Sequence, residues 1–313
     1  MHRHVFGEDI MNTAVLVKTF IYVMLLAIGY TGKRTGLFGR ENSKFLNNVI
    51  CFLTMPAAVI NGFQGVEITL SLMAGLGIGL FTNTLLLFLG QFVSRKKSPG
   101  ERVIYVFSSS CFNVANFALP FLTGLITANG FAAICMFDIS VALMCYGVNV
   151  AIADARMGGD GKIRIKPLVK KVFTTPVFLT YLFLVTLALL HIQLPGLVLE
   201  LTGVIGNANS FLAMLSIGIL FEFKLPKAGR SIVVRLLSMR FAVCIAIAAA
   251  VYFLLPLPED IKKALCVVLV APCAGSAPLL TENAGADGSI AAAINSVCIP
   301  ISIALMATFL TIL

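Results

Sequence analysis

Charge is scarce in this chain. Only 12% of its 313 residues are Asp, Glu, Lys or Arg, about half the roughly 25% of an average soluble domain. A soluble enzyme of this length could not cover its surface with so few polar side chains. Disorder is excluded from the opposite direction, because disordered chains are poor in bulky apolar residues and 59% of this chain is hydrophobic. Paired-cysteine chemistry is missing too. The eight cysteines (Cys51, Cys111, Cys135, Cys145, Cys244, Cys266, Cys273 and Cys298) stand in apolar segments and none forms a C-x-x-C pair, which argues against a disulfide framework or a zinc site. Neither H-E-x-x-H nor G-x-S-x-G occurs, and His2 and His4 are too few for a metal site. What remains is a chain of mean hydropathy +0.98, which belongs in a bilayer.

A helix crossing about 30 Å of hydrocarbon needs about 20 mostly apolar residues. Ten such runs are present: 11–31, 44–64, 69–94, 102–126, 129–153, 170–192, 197–223, 231–255, 261–281 and 286–312. The first is too long for the apolar part of a signal peptide and no small-residue cleavage site follows it. Residues 1–10 read as a short disordered extension, with Met11 opening the structured part.

The formal net charge of +9 raises the question of nucleic acid, and the positions of the cations answer it. Eighteen of the 23 Lys and Arg residues fall in the loops after spans 1, 3, 5 and 7. The other side has Arg3, Lys18, Lys262 and Lys263, and Arg240 stands inside span 8. Such asymmetry in short loops marks the cytoplasmic side, so both termini are expected outside the cytoplasm, in a multi-pass protein of the cell membrane. Anionic lipid is an expected partner of the basic loops; nucleic acid is not.

An offset of 158 residues maps spans 1–5 onto spans 6–10 within a few positions. Pro120-Phe-Leu-Thr123, followed after five residues by Asn129-Gly130, recurs as Pro278-Leu-Leu-Thr281 followed by Asp287-Gly288. An odd number of spans per repeat inverts the second copy. The expected fold is therefore all-α: ten transmembrane helices in two inverted five-helix repeats, 11–153 and 170–313, joined by a cytoplasmic loop at 154–169.

The fourth span of each half carries the clearest local signal. Span 4 holds Asn113, Asn116 and Pro120, and span 9 holds Pro272, Ser276 and Pro278. Proline removes an N–H and frees a carbonyl, and unpaired backbone at that depth must be buried in protein or line a polar cavity. One interruption alone reads as an ordinary kink. Interruptions at matching positions of two inverted repeats point to a transporter binding site, with these six residues as its candidates.

At these residues the sequence resembles the auxin efflux carrier family. The resemblance runs from Met11 to nearly the end: Gly29-Tyr30 to Lys33, Gly36-Leu37, Pro56, the Asn113–Pro120 run, Phe137-Asp138, Ile217-Gly218-Ile-Leu220, Pro272 and Asp287. It departs from the family at Ala115 and Ala118, where glycines are usual, at Asn116 for an aromatic, at Ser276 for Asn, and in having Pro278. The resemblance implies the fold shared with bile acid–sodium symporters, in which broken helices 4 and 9 cross. It also implies a scaffold of helices 1, 2, 6 and 7, often at a dimer interface, and a mobile transport domain of helices 3–5 and 8–10. The symporters' sodium signature is absent.

Asp138 lies about half-way along span 5. An ionisable group there is a functional candidate, because its charge is costly unless paired or hydrated. Two readings stay open: a carrier of a coupling proton or sodium ion, and a structural hydrogen bond to broken-helix backbone. Asn113, Asn116 and Ser276 offer neutral hydrogen bonds to a carboxylate. Asn61 and Asn295 are weaker candidates. Lys18 could face substrate but is expected to snorkel outward, Glu200 and Glu222 to be solvated or at the lipid interface, and His191 to be interfacial. Gly75-x-Gly77-x-Gly79 reads as close helix packing rather than a dinucleotide loop.

The expected function is secondary transport of a small organic anion, a dicarboxylate or auxin-like acid, by elevator-type alternating access, with no resident cofactor. The alternatives are an integral membrane enzyme acting on a lipid-soluble substrate and a receptor without transport.

Overall fold

The computed structural model describes residues 2–158, 173–222 and 229–313. Most of the loop expected at 154–169, and the cations Lys162, Arg164, Lys166, Lys170, Lys171, Lys224 and Lys227, lie outside the described residues. Among those described, secondary structure is helical apart from one isolated β-bridge. Seven helices are long and apolar enough to cross a membrane: Asn12–Arg34, Glu41–Gly62, Leu70–Val93, Ala128–Arg156, Gly196–Leu220, Arg230–Leu254 and Gly288–Ile312. A shorter apolar helix covers Pro176–Leu189.

In chain order the helices are α1 (His2–Arg34), α2 (Arg40–Val49), α3 (Met55–Gly62), α4 (Leu70–Val93), α5 (Pro99–Ser110), α6 (Leu119–Leu122), α7 (Ala128–Leu143) and α8 (Asn149–Arg156). There follow α9 (Pro176–Leu189), α10 (Gly196–Leu220), α11 (Arg230–Leu254), α12 (Glu259–Leu269), α13 (Ala277–Asn283) and α14 (Gly288–Ile312). Since α1 is described from His2, no helix boundary marks Met11. Three π-helical turns, Ile50–Thr54, Val114–Ala118 and Met144–Val148, join α2 to α3, lead into α6, and join α7 to α8.

The recurring sequence motif ends in a helix start each time. Thr127 caps α7 by accepting from the Gly130 amide (3.1 Å), and Asp287 caps α14 by accepting from Ser289 (2.8 Å). Each acceptor satisfies one of the amides a helix N-terminus leaves unpaired. At α5, Ser98 and Glu101 form a reciprocal capping box, with Pro99 in the first turn.

Packing follows from small residues. Helices α4 and α7 lie against each other so closely that a Cβ at Gly75 would strike the Ala133 carbonyl, and one at Gly79 the Ser140 hydroxyl. At Gly77, on the other face, a Cβ would meet open space. Two of the three glycines thus serve close packing, as expected for this apolar run. On another side of the molecule α10 packs along α1 and α3, with Thr54 donating to Asn209 at 3.0 Å and Lys33 paired to Glu222 at 3.0 Å. Glu222 is therefore an ion-pair partner rather than a freely solvated acid.

Spans 4 and 9 are each two helices rather than one. Helix α5 ends at Ser110 and the backbone turns extended at Cys111; α12 ends at Leu269 and α13 starts at Ala277. The two non-helical stretches meet as a short antiparallel bridge between Phe112 and Cys273. The Asn113 amide donates to the Pro272 carbonyl (2.8 Å) and the Ala274 amide to the Cys111 carbonyl (3.1 Å). Backbone groups released by the two breaks thus satisfy one another in the apolar interior, where an unpaired group is expensive.

Candidate substrate site at the crossed helices

A cavity of about 120 Å3 abuts this crossing. The crossing contributes Phe112 to Asn116 and Ala274 to Ser276; α7 contributes Asp138, Val141 and Ala142; α9 contributes Val177, Phe178 and Tyr181. All three π turns also reach it, through Cys51, through Val114 to Asn116, and through Cys145 and Tyr146. A π turn widens the helix and leaves its backbone bonds less regular, and such turns gather at functional sites.

Four of the residues singled out in the sequence, Asn113, Asn116, Ser276 and Asp138, come together in this one cavity. They arrive from three separate segments of the chain. Asp138 is buried and accepts a hydrogen bond from the Tyr181 hydroxyl at 2.8 Å. Ser276 lines the cavity together with Tyr146. The Asn116 side-chain oxygen is buried without a partner, an unfilled acceptor beside the cavity.

The three prolines do not line the cavity; they shape it. The Pro272 carbonyl belongs to the bridge described above. Pro120, in the first turn of α6, offers its carbonyl to the Tyr22 hydroxyl (2.8 Å) and the Ser210 hydroxyl (2.9 Å). Pro278 sits in the first turn of α13, where a missing N–H costs no helical bond. Asn61 turns back to the Ala57 carbonyl of its own helix at 3.0 Å, and Asn295 lies in α14; neither lines the cavity. Lys18 does not snorkel away: its Nζ donates to the Thr123 carbonyl, beside α6.

Three residues at the crossing escaped the sequence reading. Tyr181 was hidden because a tyrosine in an apolar span has no distinctive spacing. Asn149, at the start of α8, donates to Ser110 Oγ (2.9 Å) and Cys111 Sγ (3.0 Å), holding the end of α5 where the chain breaks. Arg240 is fully buried, and its guanidinium lies 3.9 Å from the centre of the Phe112 ring. The rule that singled out Asp138, a charge in mid-span, applies equally to Arg240 and could have found it.

A larger cavity, about 320 Å3, opens between α3, α9 and α10 and is bordered by Glu67, His191 and Gln193. None of the candidate residues borders it. The smaller cavity has the chemistry.

No family model matches the chain. An uncharacterized transporter of Methanocaldococcus jannaschii is 24% identical to it over 221 residues, covering 67% of this chain and 70% of that protein. The chain is a helical, multi-pass membrane protein with a transporter among its relatives.

Proposed function

We propose that the protein is a secondary carrier of a small organic anion, of the auxin efflux carrier type, working by elevator-like alternating access in the cell membrane. In this reading the ten spans form two inverted repeats, with both termini outside the cytoplasm. Helices of spans 1, 2, 6 and 7 are the scaffold, which pairs with a second copy. Those of spans 3–5 and 8–10 move with the substrate.

The observation that carries the reading is the meeting of Asn113, Asn116, Ser276 and Asp138 at a point where two interrupted helices pair backbone to backbone. Neutral amide and hydroxyl donors suit a carboxylate that must be released each cycle, since they bind it without the stronger hold of a paired charge. The cavity is small against the ~300–1,000 Å3 of sites for drug-sized ligands, which favours an acid of few carbons over a ring-bearing one. Asp138 is the coupling group, exchanging a proton or holding a sodium ion. Its bond to Tyr181 joins a mobile span to the scaffold, so occupation of Asp138 and movement of the domain are linked.

Uptake into proteoliposomes tests this reading. A panel of labelled carboxylates is offered with an inward proton gradient, with a sodium gradient, and with neither. Saturable uptake accelerated by one gradient, with that acceleration lost in Asp138→Asn, is the expected result. No uptake of any acid removes the reading; equal acceleration in Asp138→Asn removes the role of Asp138.

A further inference from the structure

Arg240 sits near the middle of α11 with its side chain fully buried. No carboxylate among the described residues pairs with it. A buried charge without a counter-ion is expensive, so the groups that do surround it are informative. Its guanidinium donates to the Ser109 carbonyl, in the last turn of α5, and at 3.2 Å to the Ala271 carbonyl, just past the end of α12. These are the points where spans 4 and 9 break, and helix C-termini carry partial negative charge. Partial charges offset a whole one incompletely, and Arg240 Nε has no partner at all. The face of the guanidinium covers the Phe112 ring, and Phe112 is itself part of the cavity wall.

A permanent positive charge therefore stands one aromatic ring away from the candidate substrate site. We propose that Arg240 is the specificity-determining cation of the crossing. It selects anions by its field, through Phe112 and without touching the substrate. The inference rests on the reading of the cavity as an organic-anion site and adds to it the source of the selectivity. Arg240 is a positioning and field residue; Asn113, Asn116 and Ser276 are the contacting ones.

The test uses the purified full-length protein in proteoliposomes with labelled succinate, lactate and indole-3-acetate. Wild-type uptake of whichever acid is carried gives the reference KM. The neutral amide of that acid should compete about tenfold less well, or worse. Arg240→Lys, which keeps the charge, should stay within a few-fold of the wild-type KM. Arg240→Gln, which keeps hydrogen-bond donors but no charge, should raise KM about tenfold or more with a smaller change in maximal rate. Monodisperse elution and thermal unfolding establish that the variants are folded. Equal KM in Arg240→Gln and wild type, or an Arg240→Lys variant no better than Arg240→Gln, overturns the proposal. Should Arg240→Gln not fold, the neutral-amide arm decides: an amide that competes as well as the acid overturns it. Failure of every acid to enter wild-type vesicles refutes the carrier reading itself. Uptake that ignores residue 240 refutes only this inference.

Discussion

The Tyr181 hydroxyl donates to the Asp138 carboxylate at 2.8 Å, joining α9 to α7 at the wall of the cavity. Both residues are buried, so losing one partner leaves the other without its bond. Tyr181→Phe should destabilise the fold by ~1–3 kcal/mol, the cost of a buried polar group left unpaired. It should also alter the ion dependence of uptake, because Asp138 loses its donor. Thermal unfolding in detergent, with uptake assayed in parallel, checks both. Unchanged stability together with unchanged ion dependence would show the bond to be idle.

The Pro120 carbonyl accepts from two hydroxyls, Tyr22 on α1 and Ser210 on α10. Either Tyr22→Phe or Ser210→Ala leaves one donor in place, so each alone should cost little, about 1 kcal/mol or less. The double variant strips the carbonyl of both and should cost more than the sum of the singles. A double-mutant cycle on unfolding stability measures the difference. Strict additivity would mean that the two hydroxyls do not share the acceptor.

Glycine at position 79 is required by the Ser140 side chain of α7, whereas position 77 is free. Gly77→Ala should be neutral or slightly stabilising, because alanine is the better helix former. Gly79→Leu should prevent close packing of α4 on α7 and destabilise by several kcal/mol (~2–4), as overpacking does. Expression level and thermal unfolding of the two variants distinguish them.

Asn113, Asn116 and Ser276 are expected to share the substrate's carboxylate. Each alanine variant should raise KM by roughly tenfold, the equivalent of one to two kcal/mol for a lost hydrogen bond. Asn61→Ala and Asn295→Ala, whose side chains do not line the cavity, should leave KM within about twofold. Transport kinetics of the five variants test the assignment as a set.

Much of this architecture could be read in the sequence because the bilayer imposes strong patterns. Apolar runs of span length match the long helices from Leu70–Val93 to Gly288–Ile312; Pro272 stands within the break of span 9, but span 4 breaks at Cys111, well before Pro120. Other features depend on contacts between segments that sequence spacing does not encode. The bridge between Phe112 and Cys273 joins residues 161 positions apart by backbone atoms alone, so no side-chain pattern announces it. The three π turns arise where helices bend around the cavity, and their sequences (ICFLT, VANFA and MCYGV) share no common signal. Lys18 looked like a residue that would reach for the interface, yet a carbonyl exposed beyond α6 holds it inward.

The central claim is that the cavity beside the Phe112–Cys273 bridge is where a carboxylate is carried. The most direct measurement compares concentration-dependent uptake of labelled carboxylates by proteoliposomes holding wild-type protein or a folded Asn113→Ala variant. Wild-type uptake should be saturable, with KM raised roughly tenfold by the substitution. Saturable uptake with the same KM in both would move the substrate site away from the crossing and contradict it.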